Sequence, residues 1–410
     1  MTALVPESRP IESAGPPQPG SAELAAVIEE IRADAVARRA AGGADGPHGA
    51  VELLRRHRLG AVRVPRELGG GGYTLQQLFD LVLDLAEADP DVPHIVRVHY
   101  SFVEEVLRLP RTDRKSAWLP KIVAGRLFGG ASSELSSRPV GTYTFASTLA
   151  PEGDGYRLDG VKFYSTGSLY SDYIRVSANL PEGSPLSAVV PVDRNGIEHR
   201  DDWDGIGQRH TGSGTTVFEN VRVAAHETLP FWSSDEAVRP RQALPQLYLH
   251  AIAAGILRAV TTEAAELVRE RKRSFVFATA EEPRRDPQLL EVVGTLSAAA
   301  YAAEALVRTA AAAQDVAADV ARTVGVDARL EQDAAVQAAK VKIAIEDVAL
   351  RAAGRLFEVG GASATRESAH LDRHWRNLRT LFSHNPTVYK ARVIGDLVVN
   401  DTPLPDTGFF

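Results

Sequence analysis

Ser383-His384-Asn385-Pro386 places a histidine within a segment, Arg373 to Gly395, that contains no Asp or Glu. Removing an unactivated α-proton calls for a positioned carboxylate, and none is available there. An imidazole titrating near 6.5 can instead give or accept a proton near neutrality. His370 and His374, spaced i, i+4, would share a helix face as zinc ligands, but no Glu stands between them in the metalloprotease arrangement. With no third ligand identifiable, a surface or interface pair and no metal are expected. Ser132, Ser133, Ser136 and Ser137 lie outside any nucleophile-elbow motif.

The glycine runs are equally informative by what they lack. Gly69 to Gly72 has neither the Lys nor the Ser/Thr of a phosphate-cradling loop, and reads as a tight turn before Thr74. Gly205-Ile206-Gly207 and Gly212-Ser213-Gly214 stop short of the dinucleotide fingerprint and fall among strands. No dinucleotide-binding domain is expected.

Three periodicities position these residues. Residues 1–20, with Pro6, Pro10, Pro16, Pro17 and Pro19, read as a disordered tail. Residues 21–124 read as a helical domain; Thr74 and Gln77 form a capping box, and Leu75, Leu78, Phe79, Val82 and Leu85 follow at helix spacing until Asp89-Pro90. Residues 125–235 read as a β domain, with strands at Tyr173 to Ala178, Ala188 to Val192 and Thr215 to Val223, and a hairpin turning at Asp159-Gly160. Residues 236–410 return to long Ala-rich helices, including Leu296 to Ala312 and Asp333 to Phe357, and read as a four-helix bundle. The fold class is therefore α+β.

A net charge of −7 and a pI near 5.9 argue against a nucleic-acid or membrane-surface binder. The absence of cysteine removes disulfides, thiolate metal sites and thiol nucleophiles. The first residues lack the basic and apolar blocks of a secretory signal. Gln242 to Leu257, the longest uncharged apolar-leaning stretch, is too short to span a bilayer. A cytoplasmic protein is expected.

Val64-Pro65-Arg66-Glu67-Leu68-Gly69-Gly70, Ala131-Ser132-Ser133-Glu134, Gly160-Val161-Lys162-Phe163 and Phe357-Glu358-Val359-Gly360-Gly361 together resemble the acyl-CoA dehydrogenase superfamily. Asp201-Asp202-Trp203 with Gly207-Gln208-Arg209, Thr211 to Thr215, and Asp372 to Asn377 running through His384 to Tyr389-Lys390 are similar to its flavin-dependent monooxygenase branch, typified by dibenzothiophene monooxygenase. The dehydrogenases carry their catalytic glutamate near His384, or on the first bundle helix, where Ala237 to Thr262 has no Asp or Glu. Both base positions are vacant.

The resemblance implies a two-component, group D monooxygenase in which reduced FMN, with FAD as the alternative, arrives from a separate NAD(P)H:flavin reductase. It reacts with O2 to a C4a-hydroperoxyflavin that oxygenates a small aromatic or heteroatom-containing substrate. The implied catalytic residues are His384, Thr166 and His94, with Thr166 where the dibenzothiophene enzyme has serine. The implied flavin-binding residues are Ala131, Ser132 and Ser133 on one strand, Phe163 and Thr166 on another, Trp203 nearby, and Arg273 ahead of Phe275 on a bundle helix, binding phosphate across a subunit boundary. A homotetramer follows, with Pro405 to Phe410 at an interface or over the site. The alternatives are an acyl-CoA dehydrogenase with an unrecognised base and a non-catalytic flavin-binding homologue.

Overall fold

The computed structural model describes residues 15–109, 113–135, 144–230, 243–405, 407 and 409. The helices α1 (Ala22–Ala40), α2 (His48–Arg56), α3 (Leu75–Ala88), α4 (Asp91–Ile95), α5 (Arg97–Arg108) and α6 (Asp113–Val123) precede the strands. These are β1 (Phe128–Ala131), β2 (Thr148–Glu152), β3 (Gly155–Lys162), β4 (Tyr173–Asn179), β5 (Pro185–Pro191), β6 (Ile197–Arg200), β7 (Thr215–Ala224) and β8 (Thr228–Pro230). Then come α7 (Ala243–Glu270), α8 (Pro287–Thr323), α9 (Ala328–Gly360), α10 (Asp372–Phe382) and α11 (Thr387–Asn400). Helices before and after a mixed sheet in the chain give the expected acyl-CoA dehydrogenase-like α+β architecture.

α3 has the capping box that its sequence promised: Gln77 N donates to Thr74 Oγ1 at 3.2 Å and Thr74 N to Gln77 Oε1 at 2.9 Å. It ends at Ala88 because Asp89, held before a proline, is extended at φ −155°. α7 is buried nearly all round, as a central bundle helix must be. α3 lies along one side of it, α8 and α9 along others, and α11 rests on α9. α7 and α8 are long and apolar enough to cross a membrane by length and composition, although α7 is spent on the bundle core.

The sheet runs β6-β7-β3-β2-β4-β5-β8, with β1 parallel to β4. Here the hairpin expectation fails. β3 continues straight through Asp159-Gly160, with a bulge between Leu158 and Gly160, and its turn to β2 lies at Gly153, at φ +60°. Asp159 accepts from Asn220 N of β7 at 2.7 Å, and a Cβ on Gly160 would sit 2.2 Å from Ser147 Oγ. The Asp-Gly pair thus serves close strand packing.

The disordered tail also needs correction over residues 15–20; residues 1–14 lie outside the described chain. Pro16 and Pro17 are buried, and Tyr73 Oη donates to Pro17 O at 2.6 Å. A proline-rich segment loses little entropy on docking, so one buried tyrosine can hold it.

Candidate active site

The Ala131-Ser132-Ser133-Glu134 and Gly160-Val161-Lys162-Phe163 runs are stitched together by their charged members. Lys162 Nζ, fully buried, meets Glu134 Oε1 at 2.6 Å, and Phe163 N donates to Ser133 O at 2.9 Å. Burial alone would raise the Glu134 carboxyl, but hydrogen bonds from Ala146 N, Lys162 and Ser147 hold it at about 2. Residues 163–167 are not the strand expected of them: β3 stops at Lys162, and Tyr164 turns left-handed at φ 55°. Its ring is 55% exposed and stands edge-on to Trp203, with centroids 5.9 Å apart.

Thr166 and His94 come together through Gly167. A Cβ there would lie 2.2 Å from Ile95 O, so only glycine lets this turn meet α4. A chain of hydroxyls follows: Thr166 Oγ1 to Ser213 Oγ at 2.9 Å, Ser213 Oγ to Thr211 Oγ1 at 2.7 Å, and Thr211 Oγ1 donating to Gln208 O at 2.9 Å. Trp203 Nε1 donates to the same carbonyl at 2.9 Å. Gln208 Oε1 lies 2.7 Å from His94 Nδ1, so that nitrogen carries the proton and Nε2 keeps its lone pair. Gln208 is the hub, and it joins the bundle as well, because its N–H meets Asn377 Oδ1 of α10 at 2.7 Å.

His384 occupies the turn between α10 and α11. Lys342 of α9 pins that turn, with Nζ bonded to Phe382 O at 3.0 Å, Asn385 O at 2.5 Å and Asn385 Oδ1 at 3.1 Å. Asn385 Nδ2 donates to Gln246 Oε1 at 2.8 Å and lies 3.4 Å from His384 Nδ1, which leaves the His384 proton on Nε2. The His384 side chain is exposed at the surface of the chain, between the α10–α11 turn and Phe409. Phe409 stands edge-on to it, ring centroids 6.3 Å apart.

Both imidazoles are neutral at physiological pH. Burial, aided by the Arg97 charge and opposed by the Gln208 bond, pushes His94 down to about 3. Burial first, then Arg97, His94, Lys342 and Lys390, holds His384 well below the usual histidine range. A shift in this direction favours the neutral imidazole of His384, a hydrogen-bond donor and acceptor. That His94 and His384 each feel Arg97 also places the two rings and the guanidinium in one neighbourhood.

Other expected residues lie elsewhere. Arg273 and Phe275 are not on a bundle helix: α7 ends at Glu270, and both stand exposed on the following loop. No hydrogen bond or ring contact among the described residues joins them to the histidines within one protomer. His370 precedes α10 in a left-handed conformation, whereas His374 is buried on α10 with Nε2 2.9 Å from Glu263 Oε2. The two share no helix face, and His374 is not a surface residue.

A flavin needs a flat apolar wall and polar groups at its edge. Tyr164 and Trp203 supply exposed and part-exposed rings beside Ser132 and Ser133. Ser165 Oγ and Gln208 Nε2 are buried without a hydrogen-bond partner among the described residues, next to Thr166 and His94. These residues fit the group.

A protein-family model described as "Acyl-CoA dehydrogenase, C-terminal domain" matches residues 247–388. A protein named probable FMNH2-dependent monooxygenase SfnC, from Pseudomonas putida, is 30% identical over 394 residues, covering 94% of this chain and 96% of its own. The chain belongs to the flavin monooxygenase branch of the acyl-CoA dehydrogenase superfamily. Within this monooxygenase branch, dibenzothiophene monooxygenase of Mycolicibacterium goodii is 30% identical over 371 residues, covering 86% of this chain and 88% of its own. The crystal structure of TdsC from Paenibacillus sp. A11-2 with FMN and indole matches at TM-score 0.87 and 27% identity, covering 95% and 100% of the two chains. Methanesulfinate monooxygenase MsuC from Pseudomonas fluorescens matches at TM-score 0.85 and 28% identity, with the same coverage.

Sequence reasoning assigned no role to Gln208, Thr211, Ser213, Asn377 or Lys342. The first four stood inside quoted signatures, which was the available signal; Lys342 lay in an ordinary helical pattern and gave none.

Proposed function

We propose that the chain is the oxygenase of a two-component system, taking reduced FMN from a separate NAD(P)H:flavin reductase and using O2 to oxygenate a small aromatic or heteroatom-containing substrate. The observation that carries the reading is the placement of two neutral histidines and a relayed threonine hydroxyl where a dehydrogenase needs a carboxylate. FMN, when bound, supplies the activation of oxygen. Ala131, Ser132, Ser133, Phe163, Thr166 and Trp203 would hold its ring, and Arg273 with Phe275 of a neighbouring protomer its phosphate. A guanidinium suits that phosphate because its planar donors match the oxygens.

The residues then act as follows. His384 donates a hydrogen bond from Nε2 to an oxygen of the bound reactants and recovers a proton there. His94, oriented by Gln208, offers the Nε2 lone pair to the substrate. Thr166 holds the ring edge through its hydroxyl, itself fixed by Ser213. Phe409, edge-on to His384, and Trp203 shield the reacting groups from water.

The same reading takes the protein to be cytoplasmic and homotetrameric. Leu290, Tyr301, Leu306 and Val316 are apolar side chains exposed on α8, and Val388, Tyr389, Val398 and Val399 on α11, which suits bundle-to-bundle association.

The test combines purified protein, a flavin reductase, NADH, FMN, O2 and a panel of sulfides, sulfinates, amines and indoles. A product heavier by one oxygen atom is expected. Rapid NADH oxidation without the reductase, or vigorous dye-linked oxidation of an acyl-CoA, would overturn the reading.

A further inference from the structure

Arg97 begins α5, three positions after His94. Several buried or part-buried arginines are matched by a carboxylate: Arg63 by Glu104 at 2.6 Å, Arg108 by Glu331 at 2.6 Å, Arg175 by Glu105 at 3.1 Å, and Arg258 by Asp84 and Glu304 at 2.7 Å. Arg97 has no carboxylate partner among the described residues. Its one hydrogen bond there is a long one, Nη1 to Pro245 O at 3.4 Å, and its Nε is buried without a partner.

A second orphan lies beside it. Tyr248 of α7 is fully buried, its ring 6.0 Å from that of Tyr100, and its hydroxyl also has no hydrogen-bond partner among the described residues. Tyr248 is near enough to Arg97 for each to shift the other's titration. Arg97 follows His94 by three positions, and its charge acts on both His94 and His384, which sets it beside the two candidate catalytic histidines.

An unmatched guanidinium in such surroundings is costly unless something supplies the opposite charge. A planar oxyanion does so best, since the fork of an arginine meets two of its oxygens and a tyrosine hydroxyl can meet another. We propose that Arg97, with Tyr248, is a substrate-binding anchor for an oxyanionic group, so that the molecule oxygenated beside His94 and His384 is an anion such as a sulfinate, sulfonate or carboxylate. The proposal rests on the oxygenase reading for its location, but it is a statement about binding and can be tested without turnover.

The probes are two pairs matched in size: benzenesulfonate against methyl phenyl sulfone, and methanesulfonate against dimethyl sulfone. Isothermal titration calorimetry on the FMN-loaded protein should show the anion of at least one pair binding about tenfold or more tighter than its neutral partner. Arg97→Gln should erase that preference while FMN affinity stays within about twofold; Arg97→Lys, which keeps the charge but loses the fork, should retain part of it. The Lys variant also serves if the Gln variant proves unstable. Equal binding of anion and sulfone by the native protein, no binding of either anion, or an undiminished preference in both variants would overturn the proposal. So would an Arg97→Gln protein that loses FMN yet keeps its anion preference, because the guanidinium would then belong to the cofactor. Arg97-dependent anion binding in a protein that oxygenates nothing would sink the oxygenase reading and leave the anchor standing.

Discussion

The Gln208 amide donates to the Asn377 side chain at 2.7 Å across 169 positions of sequence, and through it the β region and the bundle hold one histidine between them. The contact is close by design of the backbone: a Cβ on Gly207 would lie 2.2 Å from Arg376 O. Removing the Asn377 side chain leaves the buried Gln208 N–H unsatisfied. Asn377→Ala should therefore lose about 1–3 kcal/mol of stability, with product per NADH falling as His94 loses its orientation. Urea unfolding and coupling measurements check both; unchanged coupling would detach Gln208 from the chemistry.

His384→Ala should leave FMN affinity nearly intact while product formation falls by about 10²–10⁴-fold, the usual worth of a positioned acid or base. Hydrogen peroxide should rise in compensation, because oxygen would still react while the substrate would not. Product assay and peroxide assay on the same samples decide it. Full coupling in the variant removes His384 from the mechanism.

Acid should destabilise the fold through its buried histidines. His94 and His99 are held down to about 3 and about 4 by burial, so below about 6.5 the unfolded chain binds protons that the folded one refuses. Their stabilisation is complete above about 6.5 and is lost progressively as pH falls toward those depressed values. A His94→Asn protein should show a shallower fall of unfolding free energy between about pH 6.5 and about pH 4 than the native protein. Equal slopes would show that His94 is not buried as described.

Lys162→Met should separate cofactor binding from chemistry. It strands the Glu134 carboxylate among backbone donors, and breaking one partner of a buried pair costs about 3–5 kcal/mol. The Ser132–Ser133 and Phe163 segments that Lys162 and Glu134 bind together should then hold FMN less tightly, as fluorescence titration of FMN would reveal. An unchanged FMN affinity would count against those segments as the flavin wall.

Periodic features were legible in sequence. α3 declared both its ends through Thr74, Gln77 and Asp89-Pro90, and β4, β5 and β7 fell where alternation placed them. The resemblance implied His94, Thr166 and His384; the hydroxyl chain through Ser213, Thr211 and Gln208 links the first two. What sequence missed depends on distant partners. Asp159-Gly160 carries a hairpin signature, yet Asn220 and Ser147 recruit it into a continuous strand. Arg273 continues a helical charge pattern past the point where α7 ends. The depressed His384 titration comes from burial first and then from Arg97, His94, Lys342 and Lys390, the first three of which no local window contains.

Trp203, tethered by its indole N–H and edge-on to Tyr164, gives the protein an intrinsic optical reporter. A flavin seated against that indole would quench its emission, a change read on top of the emission of Trp118, Trp232 and Trp375. Cofactor arrival and departure could then be followed in real time on unlabelled protein, with Trp203→Phe as the dark control.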